Sequence, residues 1–197
     1  MDTLIPLAAI VARRLILRRQ TLAVAESSSG GLIAASLLAQ AGASAFFVGG
    51  GVVYTAAARS ALAGLSPADI TGMRSASPPY AALLAETMRR RMRADWGLCE
   101  TGAAGPTGNS YGDAAGHSCL AVAGPVTGAR NIETGHGDRV ANMRAFAAAA
   151  LTLLAGCLDE GLGEPLDEPL DGRLSERLNE GLNEGLDEDR GERRGEG

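Results

Sequence analysis

Residues 25–31 read Ala25-Glu26-Ser27-Ser28-Ser29-Gly30-Gly31, and they stand between "TLAV" (21–24) and "LIAASLLA" (32–39). The first flank is short and apolar, as in a buried strand. The second repeats its apolar residues at helical spacing. Three serines and two glycines therefore fall where a strand stops and a helix starts. A serine there can cap the helix. It can also help a helix N-terminus cradle a phosphate, or stand as a nucleophile beside free N–H donors. Glycine lets a ligand approach the backbone. On this stretch alone a serine cap is the expected reading over the other two, and the stretch sets the alternation of strand and helix that decides the fold class.

The same alternation extends in both directions. Leu4, Leu7, Ala8, Val11 and Leu15 recur at helical spacing, predicting a first helix that ends near Arg19. "FFVGGGVVYT" (46–55) reads as a second strand whose glycines admit another backbone. Residues 56–63 read as helical, and Ser66-Pro67-Ala68-Asp69 opens a short helix. A longer helix is expected from Tyr80 to about Ala94. "WGLCETG" (96–102) and "HSCLAVAG" (117–124) read as core strands, and "ARNIETGHG" (129–137) as a last one. Between the two core strands lies "AAGPTGNSYGDAAG" (103–116), too glycine-rich for simple filler. Asp138 is placed to cap a final helix running to Gly156. Together these elements predict one three-layer α/β/α domain over residues 1–156. In such folds ligand sites gather at strand C-terminal ends, so the two glycine-rich loops are expected to share a cleft.

Charge divides the 197-residue chain differently. Residues 1–156 hold 13 arginines against 9 acids, whereas residues 157–197 hold 5 against 14. From Leu158 onward leucine returns every fourth residue as far as Leu186, interrupted by Pro165, Pro169, Gly181 and Gly185. That composition predicts a mostly disordered acidic tail over 157–197.

Cys99, Cys119 and Cys157 lack paired spacing and suit free thiols in a reducing compartment. His117 and Cys119 are read as strand residues, and no metal is expected. Arg89, Arg90, Arg91 and Arg93 suit the negative end of a helix dipole. No aromatic residues interleave with them, so no nucleic-acid partner is expected. Arg13 and Arg14 break the apolar run of the first helix, and Asp2 replaces the basic start of a secretory signal. A cytoplasmic protein without membrane attachment is the expectation.

Three segments in order, "AESSSGG", "GGGVVYTAAARSALAGL" and "TGAAGPTG", resemble the CinA C-terminal domain family. Its members include bacterial nicotinamide mononucleotide amidases. The family patterns are ES-x-TGG, then G-x-V-x-Y with a lysine after four further residues, then G-x-AGP-x-G. The resemblance spans roughly residues 3–155. It implies a metal- and cofactor-free serine amidohydrolase that acts on a nucleotide, with a homodimer as its default state. By position it puts the nucleophile on Ser27 and a hydroxyl on Ser29, followed by Gly30 and Gly31. The second motif supplies Tyr54, and the third supplies Gly102, Gly105, Pro106 and Gly108.

One position departs from the pattern. The lysine that serves the family as base is Arg59 here, and the chain contains no lysine anywhere. An arginine side chain does not give up its proton at neutral pH, although it binds phosphate or carboxylate through two N–H groups at once. Replacement bases are limited to Glu26, Tyr54, Asp113, His117 and His136. Tyr54 stands out because a guanidinium neighbour favours its phenolate. Two rival functions follow: an amidohydrolase with a substitute base, and a nucleotide-binding relative that has lost catalysis. An interaction role for the tail is a third.

Overall fold

The computed structural model describes residues 1–160. The leucine-repeat tail from residue 161 onward lies outside the described residues, so the expectation of disorder there stays an expectation. Helix α1 (Ile5–Arg18) leads to β1 (Leu22–Glu26), and α2 (Leu32–Leu38) to β2 (Phe47–Val52). A short α3 (Ala56–Ala58) runs into a π-turn at Arg59–Ala63. Then come α4 (Pro78–Arg91), β3 (Trp96–Ala103), β4 (His117–Ala123), β5 (Gly128–Glu133) and α5 (Arg139–Glu160). The strands form one sheet in the order β2-β1-β3-β4-β5. β1 is parallel to β2 and β3, and β4 runs antiparallel to β3 and β5.

Strand alternation sends side chains to two different cores. Val24, Leu98, Leu120 and Val122 face α1, α2 and α5 with Leu15, Ile33, Leu151 and Leu154. Ala23, Ala25, Cys99, Cys119 and Ala121 face α4 with Tyr80, Leu84 and Met88. Small residues dominate this second face, so α4 lies very close to the sheet. A Cβ at Gly97 would come within 2.0 Å of the Ala85 carbonyl oxygen. The expected three layers are present, with the long helix α4 alone on its side.

Element ends differ from expectation by a few residues, for local reasons. α1 stops where expected, since Arg19 turns left-handed (φ 52°) and its N–H reaches the Ile16 carbonyl at 3.0 Å. α4 begins at Pro78, before the expected Tyr80, because proline fits the first helical turn and has no N–H to leave unpaired there. It ends at Arg91 instead of near Ala94, as Arg93 turns left-handed. Asp138 does cap α5, its Oδ1 accepting from Ala141 N at 3.0 Å. α5 continues past Gly156 to Glu160, and Cys157 and Leu158 are buried against the core. The first leucine of the tetrad series thus belongs to the folded domain. By length and composition α5 could cross a bilayer, but its Phe146, Ala150, Leu151 and Leu154 pack into the core.

Candidate functional site

The serine loop follows β1, and its donors are already claimed. Glu26 closes β1 and Glu100 lies beside it in β3, both essentially without solvent exposure. Glu26 Oε2 accepts from Gly31 N (2.9 Å) and Ile33 N (3.1 Å), and Oε1 from Ala34 N (2.8 Å). Glu100 Oε2 accepts from Ser27 N (3.1 Å) and Ser29 N (2.8 Å). Its Oε1 takes the hydroxyls of Ser28 (2.5 Å) and Ser118 (3.0 Å). The backbone N–H groups that would cradle a ligand phosphate therefore hold two of the protein's own carboxylates. Ser28 and Ser29 are buried on those carboxylates, and only Ser27 reaches the cleft. Its Oγ has no hydrogen-bond partner among the described residues. None of the three serines supplies a side-chain cap to α2, whose N-cap is Gly31 in the left-handed region (φ 97°).

The cleft, about 290 Å³, is lined by Ser27, Tyr54, Arg59, Thr101, Asn109 and Tyr111, among others, with Gly102 at its wall. Two of the glycine-rich segments do meet here. Thr55 starts the turn that carries Arg59: its Oγ1 accepts from Ala58 N at 3.1 Å, and its carbonyl accepts from Arg59 N at 2.9 Å. This places Thr55 and Arg59 one turn apart on the same wall, at the π-turn, a distortion that often marks functional positions. Arg59 is only 8% exposed, and its Nε finds no partner. Ala76, also on the wall, holds a left-handed φ of 54° although it has a side chain. Strained backbone of this kind clusters at sites where surrounding structure enforces it.

The third motif shapes the cleft from behind. Gly105, Pro106 and Gly108 do not line it, and neither do Ser29, Gly30 and Gly31. A Cβ at Gly105 would stand 2.7 Å from the Gly137 carbonyl oxygen, and one at Gly108 would stand 2.1 Å from that of Asp113. These glycines let the loop fold on itself and on the start of α5. Asn109 Oδ1 accepts from Tyr111 N (3.0 Å) and Asp113 N (3.1 Å), which holds Asn109 and Tyr111 at the cleft mouth. Arg139 ties the motifs together: Nη1 donates to the Gly105 carbonyl at 2.6 Å, and Nη2 to Tyr54 Oη at 3.2 Å. Asn142, fully buried, donates to the carbonyls of Ala104 and His136, each at 2.8 Å.

Of the five candidate bases, four are engaged elsewhere or lie away from the cleft. His117 presents Nδ1 to Glu133 and Nε2 to the Ala76 carbonyl at 3.0 Å, so both ring nitrogens are engaged away from the cleft. Burial works against its charge, but Glu133 and Ala76 outweigh it and hold the imidazole above its ordinary pKa. Asp113 is paired with Arg74, which keeps it below the usual carboxylate range despite some desolvation. Glu26 is sealed beneath Ser29, where burial raises its pKa. His136 is exposed and does not line the cleft. Tyr54 remains, 58% exposed at the rim. Among the described residues no group of three or more His, Cys, Asp or Glu side chains is gathered to hold a metal. The three cysteines are free and buried.

Glu100, Asn109, Tyr111, Arg139 and Asn142 were not singled out from the sequence. The N-S-Y-G-D run carried a signal for two of them, since asparagine followed two and four residues on by its own backbone partners is a turn former. Glu100 carried none.

The profile of the CinA C-terminal domain matches residues 4–158. The chain belongs to that family. A CinA-like protein of Anaeromyxobacter sp. strain Fw109-5 is 38% identical over 104 residues, which is 52% of this chain and 25% of that protein. The chain therefore matches about a quarter of the length of such curated relatives. CinA superfamily crystal structures superpose over most of the domain. One from Klebsiella pneumoniae gives a TM-score of 0.74 at 26% identity, covering 80% of this chain and 98% of that one. One from Agrobacterium tumefaciens, described as a competence/damage inducible protein, gives 0.73 at 28%, covering 79% and 95%. The CinA assignment fixes the fold. It does not say what an arginine does at position 59.

Proposed function

We propose that the cleft binds a pyridine nucleotide of the nicotinamide mononucleotide class, with Arg59 gripping an anionic group of the ligand, and that amide hydrolysis is slow or absent. The observation that carries this reading is Arg59 itself: an arginine only 8% exposed, with an unpartnered Nε, and the one cationic residue among those lining the cleft. Proteins rarely keep a buried donor without a partner, since each costs about 1–3 kcal/mol. A carboxylate or phosphate in the cleft is the ligand group whose charge complements this guanidinium. The serine loop cannot share this task, because Glu26 and Glu100 occupy its N–H groups. Ser27 stands in the same cleft as a potential nucleophile, but its hydroxyl has no hydrogen-bonded neighbour among the described residues to take its proton.

Slow turnover has one observation in its favour. Of the five candidate bases, Tyr54 alone lines the cleft, and Arg139 fixes its hydroxyl there by donating to Oη. Titration calorimetry with nicotinamide mononucleotide and its carboxylate product, beside an ammonia-release assay, separates the readings. Binding with little ammonia is expected for the wild-type chain. Efficient ammonia release that Tyr54→Phe abolishes would establish the enzyme reading, and no binding of either nucleotide would refute the ligand class.

A further inference from the structure

Ser29 Oγ lies 2.8 Å from Glu26 Oε2 and 2.7 Å from Glu100 Oε2. A hydroxyl has one proton to donate, and an ionised carboxylate only accepts. One serine proton makes a full hydrogen bond to only one of two ionised carboxylates, whereas a carboxylic acid O–H donating to Ser29 satisfies both contacts and removes one of two buried charges. Counting the other donors indicates which side it is on. Without Ser29, Glu100 still receives two backbone N–H groups and two hydroxyls, against three N–H groups for Glu26. Glu26 thus has the fewer donors to compensate a buried charge, and the proton is assigned to it.

We infer that Glu26 and Glu100 share a single proton at neutral pH, carried on the Glu26 side of Ser29, and that this locked pair positions Ser27 in the cleft. Glu100 is a positioning residue, since it holds the backbone of Ser27 and Ser29 without touching the cleft. Burial moves Glu26 in the same direction, raising its pKa, with Glu100 adding to the effect. The other ionisable groups in the pair's field are the thiols of Cys99 in β3 and Cys119 in β4, both held above their usual range by burial and hence neutral. α2 brings no charged side chain to the pair, and Ser118 of β4 brings a neutral hydroxyl. Loss of the proton would leave two buried anions across one hydroxyl, and their repulsion would loosen residues 27–31. The consequence for catalysis or binding rests on the reading of the cleft given above, whereas the proton itself does not.

Infrared difference spectroscopy of the full chain, titrated from pH 6 to 9, tests this without any ligand. A protonated-carboxyl carbonyl band should be present at neutral pH and disappear as pH rises. Glu26→Gln and Glu100→Gln should each abolish it, because a lone carboxylate accepts from Ser29 without an added proton. Amide hydrogen exchange of residues 27–31, corrected for intrinsic rates, should rise at the pH where the wild-type band is lost. That step should be missing from Glu26→Gln. Absence of the band from the wild-type protein at neutral pH would overturn the proposal by itself, even if neither variant folds. Survival of the band in both variants would overturn it too. Loss of nucleotide binding with the band intact would refute the cleft reading alone.

Discussion

Replacing Arg59 by methionine should make the protein more stable and its cleft less able to bind an anion. Methionine keeps an unbranched stem of similar reach, so packing along the wall is retained. What disappears is a guanidinium whose Nε is buried without a partner, in a residue 8% exposed. An unsatisfied buried donor costs about 1–3 kcal/mol, and that is the stabilisation expected from Arg59→Met. For a chain of this size each kcal/mol corresponds to roughly 2–4 °C in Tm. The same change removes the charged hydrogen bond to a bound anion, worth about 1.5–3 kcal/mol, and so about 10- to 100-fold in Kd. Urea unfolding of wild type and variant measures the first effect, and calorimetry with nicotinate mononucleotide the second. Opposite signs in the two assays are the signature of a residue kept for binding at the expense of stability. A variant that loses stability would mean that the guanidinium is satisfied within the protein, and the ligand argument would fail with it.

Arg59→Lys should gain nicotinamide mononucleotide deamidation of about 10²- to 10⁴-fold over wild type, the usual worth of a general base. Adding Ser27→Ala to that variant should remove the gain while leaving nucleotide binding, and ammonia release under single-turnover conditions reads both. Gly97→Ala should cost at least about 1–3 kcal/mol, since the new methyl would sit 2.0 Å from the Ala85 carbonyl and force α4 off the sheet. A urea midpoint equal to wild type would show that α4 can retreat freely. His117 is held above its ordinary 6.5 against the cost of its burial, chiefly by Glu133, so its contribution to stability is full at low pH and is lost as pH rises through the raised value. His117→Gln should flatten the fall in the urea midpoint between pH 6 and 9 relative to wild type, and parallel profiles would count against an imidazolium at this position.

The layers and the order of elements could be read from the chain because each rests on local pattern: α1 from its apolar spacing, and α5 from Asp138 and the run that follows. Element ends were less legible where they depend on single left-handed residues such as Arg93, which sequence does not mark when the residue is not glycine. The cleft residues Ser27, Tyr54 and Arg59 came from motif resemblance, and the strands bring them together. Gly105 and Gly108 belong to the same motifs but contact backbone, because a glycine spared for a ligand and one spared for a neighbouring chain look identical in sequence. Glu100 was invisible for a different reason. In "WGLCETG" it is one acid in an apolar strand, which reads as a solvent-facing position. The pairing of β3 beside β1 puts it under the serine loop, a long-range fact that no local window contains.

That hidden carboxylate changes what the opening motif means. A run of serines and glycines before a helix looks like an anion cradle because its N–H groups are assumed to be free. Here Ser27 N and Ser29 N point to Glu100, and Gly31 N, Ile33 N and Ala34 N point to Glu26. A phosphate entering that loop would have to displace two buried carboxyl groups, each held by several hydrogen bonds, and would meet the negative charge the pair retains. The loop is therefore a rigid mount for Ser27, and positive charge for a ligand must come from another wall. Among the cleft-lining side chains only Arg59 supplies it. The loss of the family lysine and the filling of the cradle thus converge on one residue: the guanidinium that cannot act as a base is also the cation the cleft offers an anion.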